Sequence, residues 1–384
     1  LAVELTRITF PFLFFVSLSS FFSGILNSNN KFAAAAAAPI ILNIFLILSL
    51  FISYFFKLNQ ELNLSYAVTL AGLFQLIFLI IFTKQYYKPS ISFKIKVNSK
   101  VTFFLKKLLP SIFSSGVTQI NILVGTIIAS FEAGAVSYLY YADRIYQINL
   151  AIAGIAVGTV VLPELSKKIK LGNISEAMSI QNKSVELCLL LSIPACLGLI
   201  IASEQITSAL FGYGSFSEKD VILTAQALKY FGFGVPAFAL IKILSNFFFA
   251  RDNTKIPFYI SLFSVFLNTL LSVIYFNEFG FIIIPIATSL ATWCAVIIYL
   301  IVLIKFRYFN VSSILYINFI KTLISVIIMS LMLYFLINFF EDKLIYTNYY
   351  KSFYLIMIIG LTATIYLALA RLLGVFKIKN FKTN

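Results

Sequence analysis

The feature that most constrains this chain is a series of long, continuous apolar runs. Each run is about 20 residues long, the length that a helix needs to cross the hydrocarbon core of a bilayer. The runs do not alternate between apolar and polar residues, as the strands of a membrane barrel do, so they predict helices. We count eleven candidate spans, at residues 8–26, 33–56, 64–83, 108–131, 134–163, 184–203, 222–249, 256–276, 279–304, 314–339 and 350–371.

The composition places these helices in a membrane. Hydrophobic residues make up 61% of the chain and charged residues only 11%, and the mean hydropathy is +0.98. Soluble domains have about 25% charged residues. The predicted fold class is therefore an all-α polytopic membrane protein.

The basic residues orient the predicted helices. The net charge is +15. When the loops are assigned alternately to the two sides of the membrane, one side holds twenty Lys and Arg residues and the other holds five. Because cytoplasmic loops are enriched in Lys and Arg, the richer side is predicted to be cytoplasmic, together with the C-terminus. This charge requires no nucleic-acid partner, and it favours contact with anionic membrane lipids.

The residue inventory argues against an enzyme. The chain has no histidine, which excludes a His-ligated metal site. Cys188, Cys196 and Cys294 lie inside apolar spans, where a thiol packs as a small hydrophobic group. The sequence has no nucleotide-binding loop and no nucleophile elbow. We therefore predict no catalytic residue, no metal and no cofactor.

A weak internal repeat relates the start of the chain to its second half. In segments 9–32 and 232–256, a proline precedes Lys31 by 20 residues and Lys255 by 19 residues. The two copies run in the same direction, as in parallel transporter repeats related by an axis along the membrane normal. The alternative is a chance similarity between two apolar segments. Within its own half of the chain, the second copy is preceded by three predicted spans, at 108–131, 134–163 and 184–203, whereas no span precedes the first copy.

The repeat therefore predicts a fourteen-helix, two-lobe fold whose first three helices are missing from this chain. The expected domains follow from that reading. They are the rest of the N-terminal lobe at 1–83, a basic cytoplasmic linker at 84–107, a six-helix C-terminal lobe at 108–304, and two extra helices with a basic tail at 305–384.

Four segments of the chain have distinctive sequences. The most specific is "YYADRIYQINLAIAGIAVGTVVLPELSK" at 140–167, and the others are "GILNSNNKFAAAAAAPIILN", "LFGYGSFSEKD" at 210–220 and "FFARDNTKIP" at 248–257. These segments resemble the MurJ (MviN) family of lipid II flippases. The resemblance runs from about residue 9 to 379. It implies the fold of the multidrug/oligosaccharidyl-lipid/polysaccharide exporter superfamily, with fourteen helices, two lobes and a central cavity.

The resemblance also implies a function. Members of the family move lipid II, the undecaprenyl-pyrophosphate-linked peptidoglycan precursor, across the bacterial inner membrane. The implied partners are lipid II, membrane lipids, and proteins of cell-wall synthesis and division. Two alternatives remain open: an exporter of another lipid-linked sugar or a drug, and a scaffold that binds such precursors without transporting them. An arginine-lined cavity weighs against a drug exporter, in which carboxylates are expected.

The segment around the Tyr-Ala-Asp-Arg motif at 141–144 contains three of the four candidate substrate-binding residues. The resemblance implies that Arg144 lines the cavity, and a guanidinium suits a pyrophosphate because it stays charged and binds phosphate oxygens through two parallel hydrogen bonds. The alternatives for Arg144 are a structural ion pair and snorkelling to the interface. Gln147 is a candidate for binding a sugar or peptide group. Ser137, two turns before Arg144, either lines the cavity or packs between helices.

The remaining candidates are charged residues in and between the spans. Neighbours on a helix do not face each other, so Asp143 is expected to pair with another helix, as a gate or as a fixed contact. Lys242, deep in its span, is expected to be a second cation for the pyrophosphate or a partner of Asp143. The other gate or ion-pair candidates are Arg251, Asp252, Lys255 and Lys31, for which a solvated turn is the alternative.

Overall fold

The chain forms two compact units of helices, at Leu1–Ser99 and Lys100–Asn384. The computed structural model describes residues 1–29, 31–87, 102 and 119–375. The described residues contain helices and no strands, as the apolar runs predict. Most of the predicted linker 84–107 lies outside the described residues, as do the first part of the span 108–131 and the end of the basic tail.

The first unit contains four helices within residues 1–29 and 31–87. They are α1 (Ala2–Thr9), α2 (Pro11–Ser28), α3 (Phe32–Phe56) and α4 (Gln60–Thr83). Pro11 stands at the first position of α2, where no backbone N–H is needed. The turn between α3 and α4 is fixed by the Asn59 side chain, which accepts a hydrogen bond from the Leu62 N–H at 3.1 Å.

The second unit contains eleven helices among the described residues. They are α5 (Gln119–Ala129), followed by α6 (Ala135–Leu150), α7 (Val157–Lys170), α8 (Ile174–Ile201), α9 (Ser203–Phe211), α10 (Glu218–Phe249), α11 (Lys255–Phe279), α12 (Ile283–Lys305), α13 (Ser313–Phe339), α14 (Glu341–Leu344) and α15 (Lys351–Leu372). A π-helical turn at Ala151–Ala156 joins α6 to α7, and a 3₁₀ turn at Gly280–Ile282 joins α11 to α12.

Eight stretches of the described chain are long and apolar enough to cross a membrane, and one of them, Lys255–Lys305, contains both α11 and α12. Large hydrophobic side chains are exposed along several of these helices, for example Ile44 on α3, Ile297 on α12 and Ile356 on α15. In water such surfaces would be unfavourable, whereas in a bilayer they face the acyl chains. The chain is therefore a polytopic membrane protein. The count of eleven spans and the three missing helices stay predictions.

Helix α10 lies at the centre of the second unit. It packs against α6, α8 and α12, and 67% of the residues in its most apolar 18-residue stretch are buried. Small residues let the neighbouring helices come close. A Cβ atom on Gly232 would lie 3.1 Å from Leu199 on α8, and a Cβ atom on Gly154 would lie 3.1 Å from the Cα atom of Ala239 on α10. This packing fixes the position of α6, which carries the Tyr-Ala-Asp-Arg motif.

Side-chain hydrogen bonds also connect the helices. The Asn268 side chain on α11 donates to Asn121 on α5 at 2.7 Å and accepts from Thr288 on α12 at 3.3 Å. At one end of α13, the Asn182 side chain donates to the Asn310 carbonyl and accepts from the Ser312 N–H, both at 2.9 Å. Polar side chains between membrane helices commonly bond in this way.

Candidate functional site

Helix α6 has a polar face that is exposed at the surface of the second unit. Tyr140, Arg144 and Gln147 follow one another at the spacing of one helical turn and are all exposed. The opposite face is buried through Ala142 and Ile145. The helix therefore holds the polar face in a fixed direction while its apolar face packs into the unit.

Arg144 is supported by a tyrosine and contacts no carboxylate among the described residues. Its Nη2 atom donates to the Tyr140 hydroxyl at 2.8 Å, and its guanidinium carbon lies 4.8 Å from the centre of the Tyr140 ring. A guanidinium has five N–H donors. The remaining donors have no hydrogen-bond partner in the described part of the chain, so they are available to an anionic ligand.

Asp143 does not pair with Arg144. Its carboxylate accepts a hydrogen bond from the Gln147 side chain, one turn along the same helix. The Tyr146 side chain also interacts with this carboxylate. The Tyr146 ring is stacked on Phe231 and Phe238 of α10, at 5.0 and 5.2 Å between ring centres. Asp143 is thus bound within its own helix, at the interface with α10, and it forms no ion pair with another described residue.

The contacts between α6–α7 and α10 set the depth of each candidate. Tyr138 bonds Asp220 at 3.0 Å near the start of α10, and Asn246 bonds the Gly158 carbonyl at 2.8 Å near its end. The two helices therefore run parallel. The Lys242 carbonyl lies 3.8 Å from the position of a Cβ atom on Gly158, so Lys242 is level with Gly158. Gly158 follows Arg144 by about 14 residues, which at 1.5 Å per residue separates Lys242 from Arg144 by roughly 20 Å along the helix axis.

The structure therefore brings Arg144, Asp143 and Gln147 together on one helix and leaves Lys242 at another depth. The side chain of Lys242 is exposed, but it lies out of reach of both Arg144 and Asp143. Ser137 is exposed two turns before Arg144, on the same side of α6.

The turn between α10 and α11 contains three further candidates in different environments. The Arg251 Nη1 atom donates to the Phe247 carbonyl at 2.6 Å and the Nη2 atom to the Tyr308 carbonyl at 3.1 Å, and the guanidinium carbon lies 4.4 Å from the Tyr308 ring centre. Burial lowers the pKa of Arg251 from its ordinary value. Asp252 and Lys255 are exposed. Arg251 thus fastens the turn to the residues that follow α12.

Lys31, the candidate in the first unit, is exposed and immediately precedes α3. No group of three or more Cys, Asp or Glu residues that would suit a metal ion occurs in the described ranges. The sequence alone did not indicate Tyr140 and Tyr146 as site residues. Tyr140 lies one helical turn before Arg144, and Tyr146 lies one turn after Asp143, so their spacing could have indicated both tyrosines. The direction in which each side chain points could not be predicted from the sequence.

Comparison with known proteins identifies the family. The family model described as "Lipid II flippase MurJ" matches residues 1–355. A probable lipid II flippase MurJ of Rickettsia prowazekii (strain Madrid E) is 41% identical over 298 residues, which cover 76% of this chain and 58% of that protein. One from Rhizobium tropici is 40% identical over 300 residues, 76% of this chain and 56% of the relative. The chain thus spans less than two thirds of these relatives.

Solved structures support the same assignment. A structure titled "Lipid II flippase MurJ, inward closed conformation" superposes with a TM-score of 0.79 at 27% identity, covering 96% of this chain and 73% of that one. An inward-facing multidrug resistance transporter of the MATE family, in the MOP superfamily, gives a TM-score of 0.69 over 80% of this chain at 14% identity, which shows the fold alone. The chain is a multi-pass protein of the bacterial inner membrane, and it belongs to the MurJ family of lipid II flippases.

Proposed function

We propose that the protein transports lipid II from the inner to the outer leaflet of the bacterial inner membrane by alternating access. The observation that carries this proposal is Arg144. Its guanidinium is exposed on a membrane helix, is held by Tyr140, and has no carboxylate partner among the described residues. Keeping an unpaired cation in such a place is costly, so it indicates a ligand that brings the negative charge.

Arg144 binds the pyrophosphate of the substrate in this mechanism. The free N–H groups of its guanidinium form two parallel hydrogen bonds to phosphate oxygens, while Tyr140 keeps the plane of the guanidinium in a fixed orientation. The polyprenyl tail stays in the lipid. The lobes then rock, the cavity opens to the other side and the headgroup leaves. No covalent bond is broken, so the protein acts as a transporter and not as an enzyme.

Asp143 and Gln147 bind the rest of the headgroup in this proposal. A Gln147 amide that is bonded to Asp143 keeps one N–H and its carbonyl oxygen for a sugar hydroxyl or a peptide group. Ser137 extends the same face by two turns. Lys242 contacts the substrate at a different stage of the passage, because it lies at a different depth from Arg144.

The charged turns act at the cytoplasmic surface. Lys31, Asp252 and Lys255 are exposed, and they contact headgroups or close the cavity on the inner side, whereas Arg251 holds its turn in place. The C-terminus is cytoplasmic. The domains are those expected from the sequence, with lobes at 1–83 and 108–304, a linker at 84–107 and two extra helices from 305. Proteins of cell-wall synthesis and division supply and consume the substrate.

The experiment that tests this function is rescue of cells depleted of their own lipid II flippase. We expect the full-length protein to restore exposure of lipid II on the outer leaflet. The Arg144→Ala variant is expected to lose this activity while its level in the membrane stays unchanged.

Two results would contradict the proposal. No rescue by a well-expressed wild-type protein would favour another lipid-linked sugar, such as an O-antigen or capsule unit, as the substrate. Binding of lipid II without any transport would favour a scaffold.

A further inference from the structure

A fully buried lysine stands at the start of α15. The Lys351 side chain is only 1% exposed. Its Nζ atom donates to the carbonyls of Gly212 and Tyr346, both at 2.7 Å. It also lies 4.4 and 4.5 Å from the ring centres of Tyr213 and Tyr346. No carboxylate pairs with it among the described residues, so carbonyl dipoles and ring faces stabilise its charge.

Two neighbours of Lys351 bind the same part of the chain. The Tyr346 hydroxyl donates to the Phe216 carbonyl and the Ser352 hydroxyl to the Ala209 carbonyl, both at 2.7 Å. The segment between α9 and α10, residues 212–217, is here called the α9–α10 connection. Side chains near the start of α15 thus bind three backbone carbonyls in this region. Those of Gly212 and Phe216 lie in the α9–α10 connection, and that of Ala209 lies near the end of α9.

Helix α6 contacts the other side of the same connection. The Tyr141 ring packs against Phe211 and Phe216, at 4.7 and 5.2 Å between ring centres. The Tyr138 hydroxyl donates to Asp220 at 3.0 Å. The Asp220 carboxylate in turn accepts from the backbone N–H of Ser217 and caps the start of α10. Tyr141 is three residues before Arg144, so the connection sets the position of the turn that carries Arg144.

We infer that Lys351 is a positioning residue for Arg144, acting through the α9–α10 connection between α15 and α6. This inference rests on the proposed function for its effect on transport, but its structural part does not. The close fit around the lysine supports it. A Cβ atom on Gly212 would lie 3.1 Å from the Lys351 Nζ and 2.6 Å from the Ser208 carbonyl oxygen, so the backbone approach requires glycine here.

The test measures the position of α6 directly. Spin labels are attached to Ile148→Cys on α6 and Leu290→Cys on α12, which are both exposed. The background is the full-length protein with its native cysteines, among them Cys188, Cys196 and Cys294, replaced by alanine. We expect Lys351→Met to shift and broaden the distance distribution between the labels. Tyr346→Phe removes only the bond to Phe216 and is expected to produce a smaller change in the same direction.

Lys343→Met is the matched control, because Lys343 is an exposed lysine eight residues earlier. It is expected to keep the wild-type distribution. Wild-type distributions in both Lys351→Met and Tyr346→Phe would overturn the inference. So would a loss of thermal stability in these variants without any change in the distance, because that result indicates a purely structural role.

Transport gives the second readout. We expect Lys351→Met to lower lipid II transport by about tenfold, which corresponds to about 1.4 kcal/mol, while Lys343→Met transports at the wild-type rate. A wild-type transport rate in Lys351→Met would overturn the inference. Failure of the wild-type protein to transport lipid II would overturn the proposed function instead, and the label distances would still decide the positioning role.

Discussion

Two arginines show how the surroundings of one residue type decide its role. Arg251 uses its guanidinium on two backbone carbonyls and a tyrosine ring, so it joins two parts of the chain. Arg144 donates one hydrogen bond to the Tyr140 hydroxyl, and its other N–H groups have no partner among the described residues. Since a guanidinium stays charged at any physiological pH, a buried or membrane-facing arginine with spare donors is suited to a phosphate.

The positions of the two lysines along α10 predict how strongly each one affects the affinity for lipid II. Lys229 and Lys242 are both exposed, but the parallel contacts of α6 and α10 place Lys229 near the level of Arg144 and Lys242 roughly 20 Å further along. We expect Lys242→Met to change the dissociation constant for lipid II by less than about twofold. Lys229→Met is expected to raise that constant about tenfold, since a contact with a charged group contributes about 1.5–3 kcal/mol.

The measurement is equilibrium binding of lipid II to the purified full-length variants, with transport recorded in parallel. A slower transport rate in Lys242→Met at unchanged affinity would agree with a contact made later in the passage. An affinity loss in Lys242→Met as large as that of Arg144→Ala would show that one headgroup reaches both residues, which contradicts the depths described above.

At the scale of elements, the joint between α6 and α7 depends on close packing. The π-helical turn Ala151–Ala156 contains Gly154, and a Cβ atom there would meet the Cα atom of Ala239 at 3.1 Å and the Leu150 side chain at 3.2 Å. Such π turns are common at functional sites. Gly154 allows α10 to pack closely against the π-helical turn, and this close packing fixes the angle between α6 and α7.

We therefore expect Gly154→Val to push α7 away from α10. Overpacking of this kind costs about 1–3 kcal/mol, so the variant should have a lower melting temperature and little transport. Gly198→Ala on α8 is the matched control, because no atom lies within 4 Å of its added Cβ atom. We expect this control to fold and transport normally. Normal stability and transport of Gly154→Val, measured by thermal unfolding and by rescue of depleted cells, would show that the joint tolerates a wider spacing.

The elements also show which parts of the structure could be predicted from the sequence. Helices such as α3, α13 and α15 begin and end within one residue of the predicted spans, because long apolar runs and the membrane length determine them. The position of Lys351 at the start of the predicted span 350–371 did not reveal its burial. Its partners are carbonyls and rings more than 130 residues away in sequence, such as Gly212, and no local pattern encodes that contact.

At the scale of the whole molecule, the family and the helical membrane fold follow from the sequence, while the geometry of the site follows from packing. The motif predicts Arg144 as the central cation. The partners of Asp143 and the depth of Lys242 depend on the rotation and register of α6 against α10, and these are set by stacked rings such as Tyr146 on Phe231 and by close glycine contacts.

We propose above that Arg144 binds the pyrophosphate of a lipid-linked substrate. The most direct test compares the affinity of the full-length protein for short-tailed lipid II with that for the same molecule joined through a single phosphate. We expect the wild type to prefer the pyrophosphate by about tenfold or more, as one charge-assisted contact allows. Arg144→Ala is expected to bind both molecules equally, since the preference requires the guanidinium. An unchanged preference in Arg144→Ala would contradict the account and assign the phosphate contact to other residues.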